Sequence, residues 1–440
     1  MHPSANRLTE GPLARGLLRL AGPMFVSAIL QNAQSLIDLF WVGRIGSHAV
    51  AALAVSGTIL MTLFPIVMGM SAGTVAYISR HVGAGRHDDA SAVAGQSLAL
   101  ALLLGLAAGA AGAFLARRLC SLLGAGPDII EYAAAYLQIS FLGSFTVFLL
   151  FVGNSILQSA GNAVLPMTAM ILANLLNMIL DPLLIFGFGP LPSLGVSGAA
   201  AATVLSQAAA AALVLRRLTR GVAGLHAHRA RWRLQAPLAW SILRIGLPSS
   251  GQMLSRTLMS LVLMRIVAAC GTAAVAGYGI GTRFHMILLM PSFTLGNAAA
   301  TLVGQNLGAG SPRRAQSAAW LAAALGAAIM AASALCLYLF AAPLVRVFDA
   351  STPVVSVGVS FLRTVSPFYV FATLGIVLGR ALIGAGDTLA PMIATILGLW
   401  GIQIPLALWL SRVVQPPTAG IWIAIAAALT ANGLMTAGWF

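Results

Sequence analysis

The chain has 440 residues, 59% of them hydrophobic and only 8% charged, with a mean hydropathy of +0.94. Soluble domains carry about 25% charged residues, so soluble enzymes, nucleic-acid-binding proteins and secreted domains are excluded and a polytopic membrane protein remains. All 24 basic residues are Arg, against nine acids for a formal charge of +15, but they are scattered between apolar stretches and build no basic domain suited to nucleic acid.

Apolar stretches of the roughly 20 residues needed to cross a bilayer recur along the whole chain. In chain order they fall at 16-42, 49-72, 92-116, 129-153, 162-187, 194-216, 240-268, 275-300, 315-340, 354-379, 388-411 and 419-440. The expected fold class is therefore all-α and polytopic, with about twelve transmembrane helices. The first apolar run follows a basic N-terminus and carries a polar stripe, so it reads as the first span and not as a cleavable signal peptide. With a cytoplasmic N-terminus, the inside loops collect Arg7, Arg15, Arg19, Arg80, Arg86, Arg216, Arg217, Arg220, Arg229, Arg231, Arg233, Arg244, Arg313, Arg314 and Arg380. The outside loops hold Arg44, Arg117, Arg118, Arg346 and Arg412. The positive-inside rule thus places both termini in the cytoplasm. The one long polar connection, 217-239, reads as a basic cytoplasmic linker between an N-terminal lobe, 1-216, and a C-terminal lobe, 240-440. Cys120, Cys270 and Cys336 lie far apart with no CxxC, and indicate neither zinc nor a disulfide framework.

Sliding the chain by 225 residues aligns the halves without a gap. Pro23 falls on Pro248, Gly46 on Gly271, Gly83-Ala84-Gly85 on Gly308-Ala309-Gly310, Ala160-Gly161 on Ala385-Gly386, and Pro166-Met167 on Pro391-Met392. The expected architecture is two six-helix bundles in parallel repeat, a transporter arrangement with the substrate path between halves. The repeated Gly-Ala-Gly reads as a tight turn; a phosphate-cradling loop would need a Lys and a preceding strand.

The symmetry breaks at a few polar positions. Asp38 in the first span and Asp181 in the fifth have Leu263 and Leu406 as repeat partners, while Asn174, Asn177 and Thr203 map onto Leu399, Ile402 and Ala428. Asn174, Asn177 and Asp181, spaced i, i+3, i+7, fall on one helix face. Asp38, Asp181 and Thr203 all sit in the outer half of their spans, and Pro182 disfavours regular helix at Asp181. Acids inside a membrane face the bundle interior and mark ion or proton pathways. A close carboxylate pair suits proton exchange, and the same oxygens of Asp38, Asn177, Asp181 and Thr203 suit a hard cation such as sodium. A purely structural, hydrogen-bonded role in helix packing is the plainer alternative.

Gln31, Asn32 and Gln34 on the first span either line a substrate cavity or hydrogen-bond helix to helix. Arg256 and Arg265 either snorkel or meet an anionic substrate or lipid phosphate. His48, His81, His87, His226 and His228 fall in or beside loops and carry no assigned role.

These residues resemble the multidrug and toxic compound extrusion family of cation-coupled antiporters over essentially the whole chain. The resemblance is carried by Gln31-Asn32, Ser35-Leu36-Ile37-Asp38 and Val42-Gly43-Arg44-Ile45-Gly46, then Gln158-Ser159-Ala160-Gly161-Asn162. It continues through Asn174-Leu175-Leu176-Asn177-Met178-Ile179-Leu180-Asp181-Pro182, Gly195-Val196-Ser197-Gly198 and Gly304-Gln305-Asn306-Leu307-Gly308. It implies a V-shaped pair of six-helix lobes in a bacterial inner membrane, monomeric and lipid-embedded. Such a protein exports small organic, often cationic, compounds in exchange for protons or sodium, with no cofactor and no enzymatic step. Asp38 resembles the family's first-helix acid, Asn177 and Asp181 its fifth-helix partners, and Thr203 a sixth-helix partner. The second half carries only Asp349 and Asp387, at span ends or loops. The sequence is therefore most similar to the DNA-damage-inducible-F-like branch, with coupling confined to the N-terminal lobe. A proton-coupled exporter is the leading expectation; a sodium-coupled antiporter on the same site and a lipid-linked or polysaccharide flippase are the alternatives.

Overall fold

A computed structural model describes residues 8–189, 192–226, 232 and 234–440. Arg7, His228, Arg229, Arg231 and Arg233, assigned above to loops, lie outside them. The described residues are helical nearly throughout. In chain order they form α1 (Leu13–Gly43), α2 (Ser47–Leu60), α3 (Phe64–Gly83), α4 (His87–Leu122), α5 (Pro127–Leu142), α6 (Ser144–Ser159), α7 (Val164–Phe186) and α8 (Val196–Arg220). The second half forms α9 (Ala236–Ala268), α10 (Thr272–Gly308), α11 (Pro312–Arg346), α12 (Thr352–Val365), α13 (Tyr369–Gly384), α14 (Leu389–Ile396), α15 (Ile404–Val413) and α16 (Pro417–Trp439).

Several of these pair into single crossings. α2 and α3 run together as Ser47–Gly83, α12 and α13 as Thr352–Gly384, and α14 and α15, joined by a π-helical stretch at Leu397–Gln403, as Leu389–Val413. α5 and α6 form one span bent by 48°. Among the described residues, ten helices are long and apolar enough to cross a membrane, eleven with that bent pair. α9 completes twelve: it has 33 residues, and Arg244, Gln252, Arg256 and its serines lower its hydropathy without breaking the helix. Helices outrun the apolar stretches that announced them, α4 reaching 36 residues and α10 37. The backbone ladder continues past the hydrocarbon edge because polar first and last turns remain good helix formers in water.

The chain divides into two compact units, Leu18–Gly246 with residues 1–10, and Leu247–Phe440 with residues 11–17. The 225-residue repeat reappears in the turns. Gly85 and Gly310 take φ of 72° and 71°, and Gly161 and Gly386 take 90° and 88°. After each, an N–H reaches back to a carbonyl five residues earlier: Arg86 to His81, Ser311 to Asn306, Asn162 to Leu157, Asp387 to Leu382. This left-handed helix stop needs a residue without a Cβ, which is why Gly-Ala-Gly recurs and why no phosphate cradle is required to explain it.

Within the first unit, α4 presents Gly105, Gly109 and Gly112 to the α5–α6 bend. A methyl group on Gly105 would stand 2.6 Å from Phe145 Cα. Lipid is as apolar as a helix surface, so close backbone approach through small residues is what joins spans. Ser144 Oγ donates to Gly105 O at 2.8 Å and fixes the bend against α4. In the second unit the core centres on Trp422, fully buried, stacked on Tyr278 at 5.6 Å and edge-on to Phe361 at 4.9 Å.

Gly105→Val should lower stability by about 1–3 kcal/mol through overpacking, whereas Gly22→Val, with no atom near its added carbon, should be neutral. Thermal unfolding in detergent, followed by dye labelling of the buried Cys120, checks both.

Candidate functional site

α7 and α8 form a tight hairpin whose closure places the polar residues. Leu194 N–H donates to Leu184 O and Gly195 N–H to Ile185 O, each at 3.0 Å, so the turn takes up carbonyls at the end of α7. Gly198 faces the Leu184 carbonyl with no room for a side chain. α7 carries Pro182 inside a helix that stays continuous, which leaves the carbonyl one turn earlier without its usual donor. Asn177 and Asp181, one turn apart, are both fully buried and face Thr203 on α8.

The side chains join into one network across three helices. Asn177 Nδ2 donates to Asp181 Oδ1 at 3.2 Å and to Thr203 Oγ1 at 3.4 Å. Thr203 Oγ1 lies 3.3 Å from Asp38 Oδ2 and also donates to Ala199 O at 3.0 Å. Thr203 thus links the Asp38 carboxyl on α1 to Asn177, and Asn177 to Asp181, so the two acids share one bridge and lie within electrostatic reach of each other. Asp38 retains 7% exposure. The Asn177 amide and the Thr203 hydroxyl are the donors, and acceptor oxygens outnumber them: Asp38 Oδ1, Asp181 Oδ2 and the Asn177 amide oxygen are buried without a described partner. A site with surplus acceptors is chemically completed by a proton or a cation.

The other sequence candidates divide. Asn174 lies one turn below Asn177 and is buried, but its amide donates to Met170 O at 3.0 Å, within its own helix. It shares the face and stays outside the network. Gln34 is buried one turn before Asp38, and Gln31 is half-buried on the same side. Asn32, one residue from Gln31 and so about 100° around the helix, is exposed, with its amide donating to Ala28 O at 2.9 Å. Arg256 and Arg265 lie apart: nine residues at about 100° each put them on opposite sides of α9. Arg256 is half-buried and Arg265 exposed in the last turn, where it offsets the helix dipole.

One residue was missed. Tyr136 on α5 is buried and lies within electrostatic reach of both Asp38 and Asp181. Its repeat partner is Phe361, so the comparison of halves that singled out Asp38 would have found it too. Among the described residues no group of three or more His, Cys, Asp or Glu could hold a metal ion.

A family model, MatE, matches the chain twice, over residues 23–183 and 248–409, and the two matches start at Pro23 and its repeat partner Pro248. The FAD transporter of Shewanella oneidensis is 31% identical over 409 residues, covering 91% of this chain and 88% of that protein. The multidrug resistance protein PmpM of Pseudomonas aeruginosa is 28% identical, covering 96% and 92%. Among solved structures, a MATE crystal structure in the bent conformation superposes with a TM-score of 0.93 at 26% identity, covering all of this chain and 97% of that one. These neighbours carry twelve transmembrane helices in two bundles.

Infrared difference spectra between high and low pH should show a protonated-carboxyl band that is lost in Asp38→Asn and displaced in Asp181→Asn. A band that ignores one of the two substitutions would separate the pair.

Proposed function

The chain belongs to the multidrug and toxic compound extrusion family, whose members are secondary-active exporters and not enzymes, and from that premise we propose a proton-coupled antiporter of organic, cationic or lipophilic compounds. The observation that carries the reading is the bridge through Thr203 and Asn177 that joins Asp38 to Asp181, two acids from different spans in one half of a repeat that does without them in the other. Two bare carboxylates brought together in a protein interior repel each other, and relieving that repulsion is the work a proton or cation does there. One shared proton turns that repulsion into a hydrogen bond. The protonation state therefore selects how α1 lies against α7 and α8. An organic cation can take the proton's place as counter-charge, so proton and substrate alternate, and each shifts the conformational balance through its differential affinity.

Sodium coupling at the same oxygens is the second reading. The unpartnered oxygens of Asp38, Asp181 and Asn177, with Thr203 alongside, are a donor set that a hard cation accepts. In our reading the protein works as a monomer in the bacterial plasma membrane, with both termini and the basic linker 217–239 cytoplasmic, as the arginine distribution favours. The likeness to an FAD transporter places flavin nucleotides beside lipophilic cations among the cargoes to be tested.

In proteoliposomes, an imposed proton gradient should drive export of a fluorescent lipophilic cation, and Asp38→Asn should reduce it to the rate of empty vesicles. A sodium gradient that drives transport alone would transfer the same residues to the second reading. Driven export that survives Asp38→Asn would overturn both.

A further inference from the structure

The second unit holds a polar cluster of the opposite kind. Arg256 lies twelve residues before the end of α9 at Ala268, about 18 Å along the helix and so deep in the span. One guanidinium nitrogen is 3.3 Å from Thr395 Oγ1. Gln252 Nε2 donates to Pro391 O and Thr395 Oγ1, both at 2.8 Å, and Asn432 Nδ2 stands 3.4 Å from the same hydroxyl. Three donor groups converge on one oxygen with two lone pairs, so here donors are in surplus. Nearby, the Tyr369 hydroxyl and His285 Nδ1 are buried without a described partner. Their rings meet edge-on at 5.1 Å, and the Arg256 charge reaches His285. Arg380 adds a second positive charge that bears on Arg256.

No acid of the unit answers this charge. Its acids are Asp349 and Asp387, and both cap turns. Asp349 accepts from Ser351 N–H at 2.8 Å, and Asp387 from Leu389 and Ala390 N–H at 3.1 Å each. The described ion pairs both involve Asp89, in the other unit. Arginine does not give up its proton, and an uncompensated cation deep in a membrane is costly enough to mark a function.

Two independent features agree. At the 225-residue offset Arg256 falls on Gln31, Thr395 on Met170, Tyr369 on Ser144, His285 on Leu60 and Arg380 on Ser155, so the shared fold does not need the cluster. The π-helical stretch Leu397–Gln403 begins just past Thr395, where the corresponding part of α7 is regular helix. Such stretches concentrate at functional sites. Trp400 within it donates to Ser255 Oγ at 2.8 Å, next to Arg256.

We propose that Arg256, with Thr395, Gln252, Asn432, Tyr369 and His285, forms a binding site for one anionic oxygen group, a phosphate or carboxylate, carried by a transported molecule or by a membrane phospholipid. The guanidinium supplies charge and paired N–H donors, and the tyrosine hydroxyl a further donor. The site belongs to the second unit and the carboxyl pair to the first, and binding is read without any gradient, so the coupling reading can fail without touching it.

The test titrates full-length protein in detergent with a fluorescent coumarin phosphate monoester and with its neutral methyl ether, following anisotropy. The ester binds and the ether does not. Arg256→Gln weakens the ester by about tenfold to a hundredfold, the worth of a charged hydrogen bond. Arg256→Lys restores part of the loss, and Tyr369→Phe weakens binding with thermal stability kept, which also secures the test should Arg256→Gln misfold. Native mass spectrometry of protein from phosphatidylglycerol-containing nanodiscs distinguishes the sources. Phosphatidylglycerol retained by the wild type and lost in Arg256→Gln assigns a lipid headgroup; ester binding without retained lipid assigns a soluble anion. Equal binding of ester and ether with no lipid retained, or ester binding and lipid retention both untouched by Arg256→Gln, overturns the proposal.

Discussion

Two carboxyl groups from separate helices are bridged by one threonine and one asparagine inside a membrane-spanning bundle, and that bridge is the constraint on which the first half's polar interior depends. Hydrocarbon offers neither water nor counter-ions, so Asp38 and Asp181 depend on Asn177 and Thr203 and, in the proposed mechanism, on one exchangeable positive charge. The surrounding structure secures the approach. The α7–α8 turn hydrogen-bonds back onto the end of α7, and Gly198 lets the two backbones close. Tyr136 adds a buried hydroxyl from a third side. The rest is a rigid frame of small-residue contacts and glycine-stopped helices, the material of which membrane bundles are made.

The repeat separates what the frame needs from what each half does. Glycine turns recur at the same offset with nearly the same backbone angles, and the family match splits at matching positions. The polar side chains do not repeat. The first half has surplus acceptors around Asp38 and Asp181, the second surplus donors around Arg256 and Thr395. One architecture thus carries two electrostatic environments.

Much of this was legible in the sequence, because membrane insertion writes itself into composition. Helix number followed from apolar stretches, and the grouping of Asp38, Asn177, Asp181 and Thr203 followed from comparing halves. What remained illegible needed three dimensions. Helix ends ran past the apolar windows because the backbone ladder is indifferent to where hydrocarbon stops. Asn174 shared the face of Asn177 and Asp181, yet its amide bonded its own helix, a choice that spacing does not encode. Asn32 and Arg265 were grouped by proximity along the chain, which ignores the rotation between residues on a helix. Tyr136 escaped because a tyrosine in an apolar span looks like packing until the fold brings it within electrostatic reach of two acids. The π-helical stretch at Leu397–Gln403 has no sequence mark that we recognise.

In the proposed mechanism a proton and a substrate compete for one carboxyl pair. Calorimetry of substrate binding to the detergent-solubilised protein, repeated in buffers of differing ionisation enthalpy, counts protons released on binding without vesicles or gradients. Release of about one proton per bound lipophilic cation, lost in Asp38→Asn, is the expected result. Binding with no proton released in the wild type would contradict the claim.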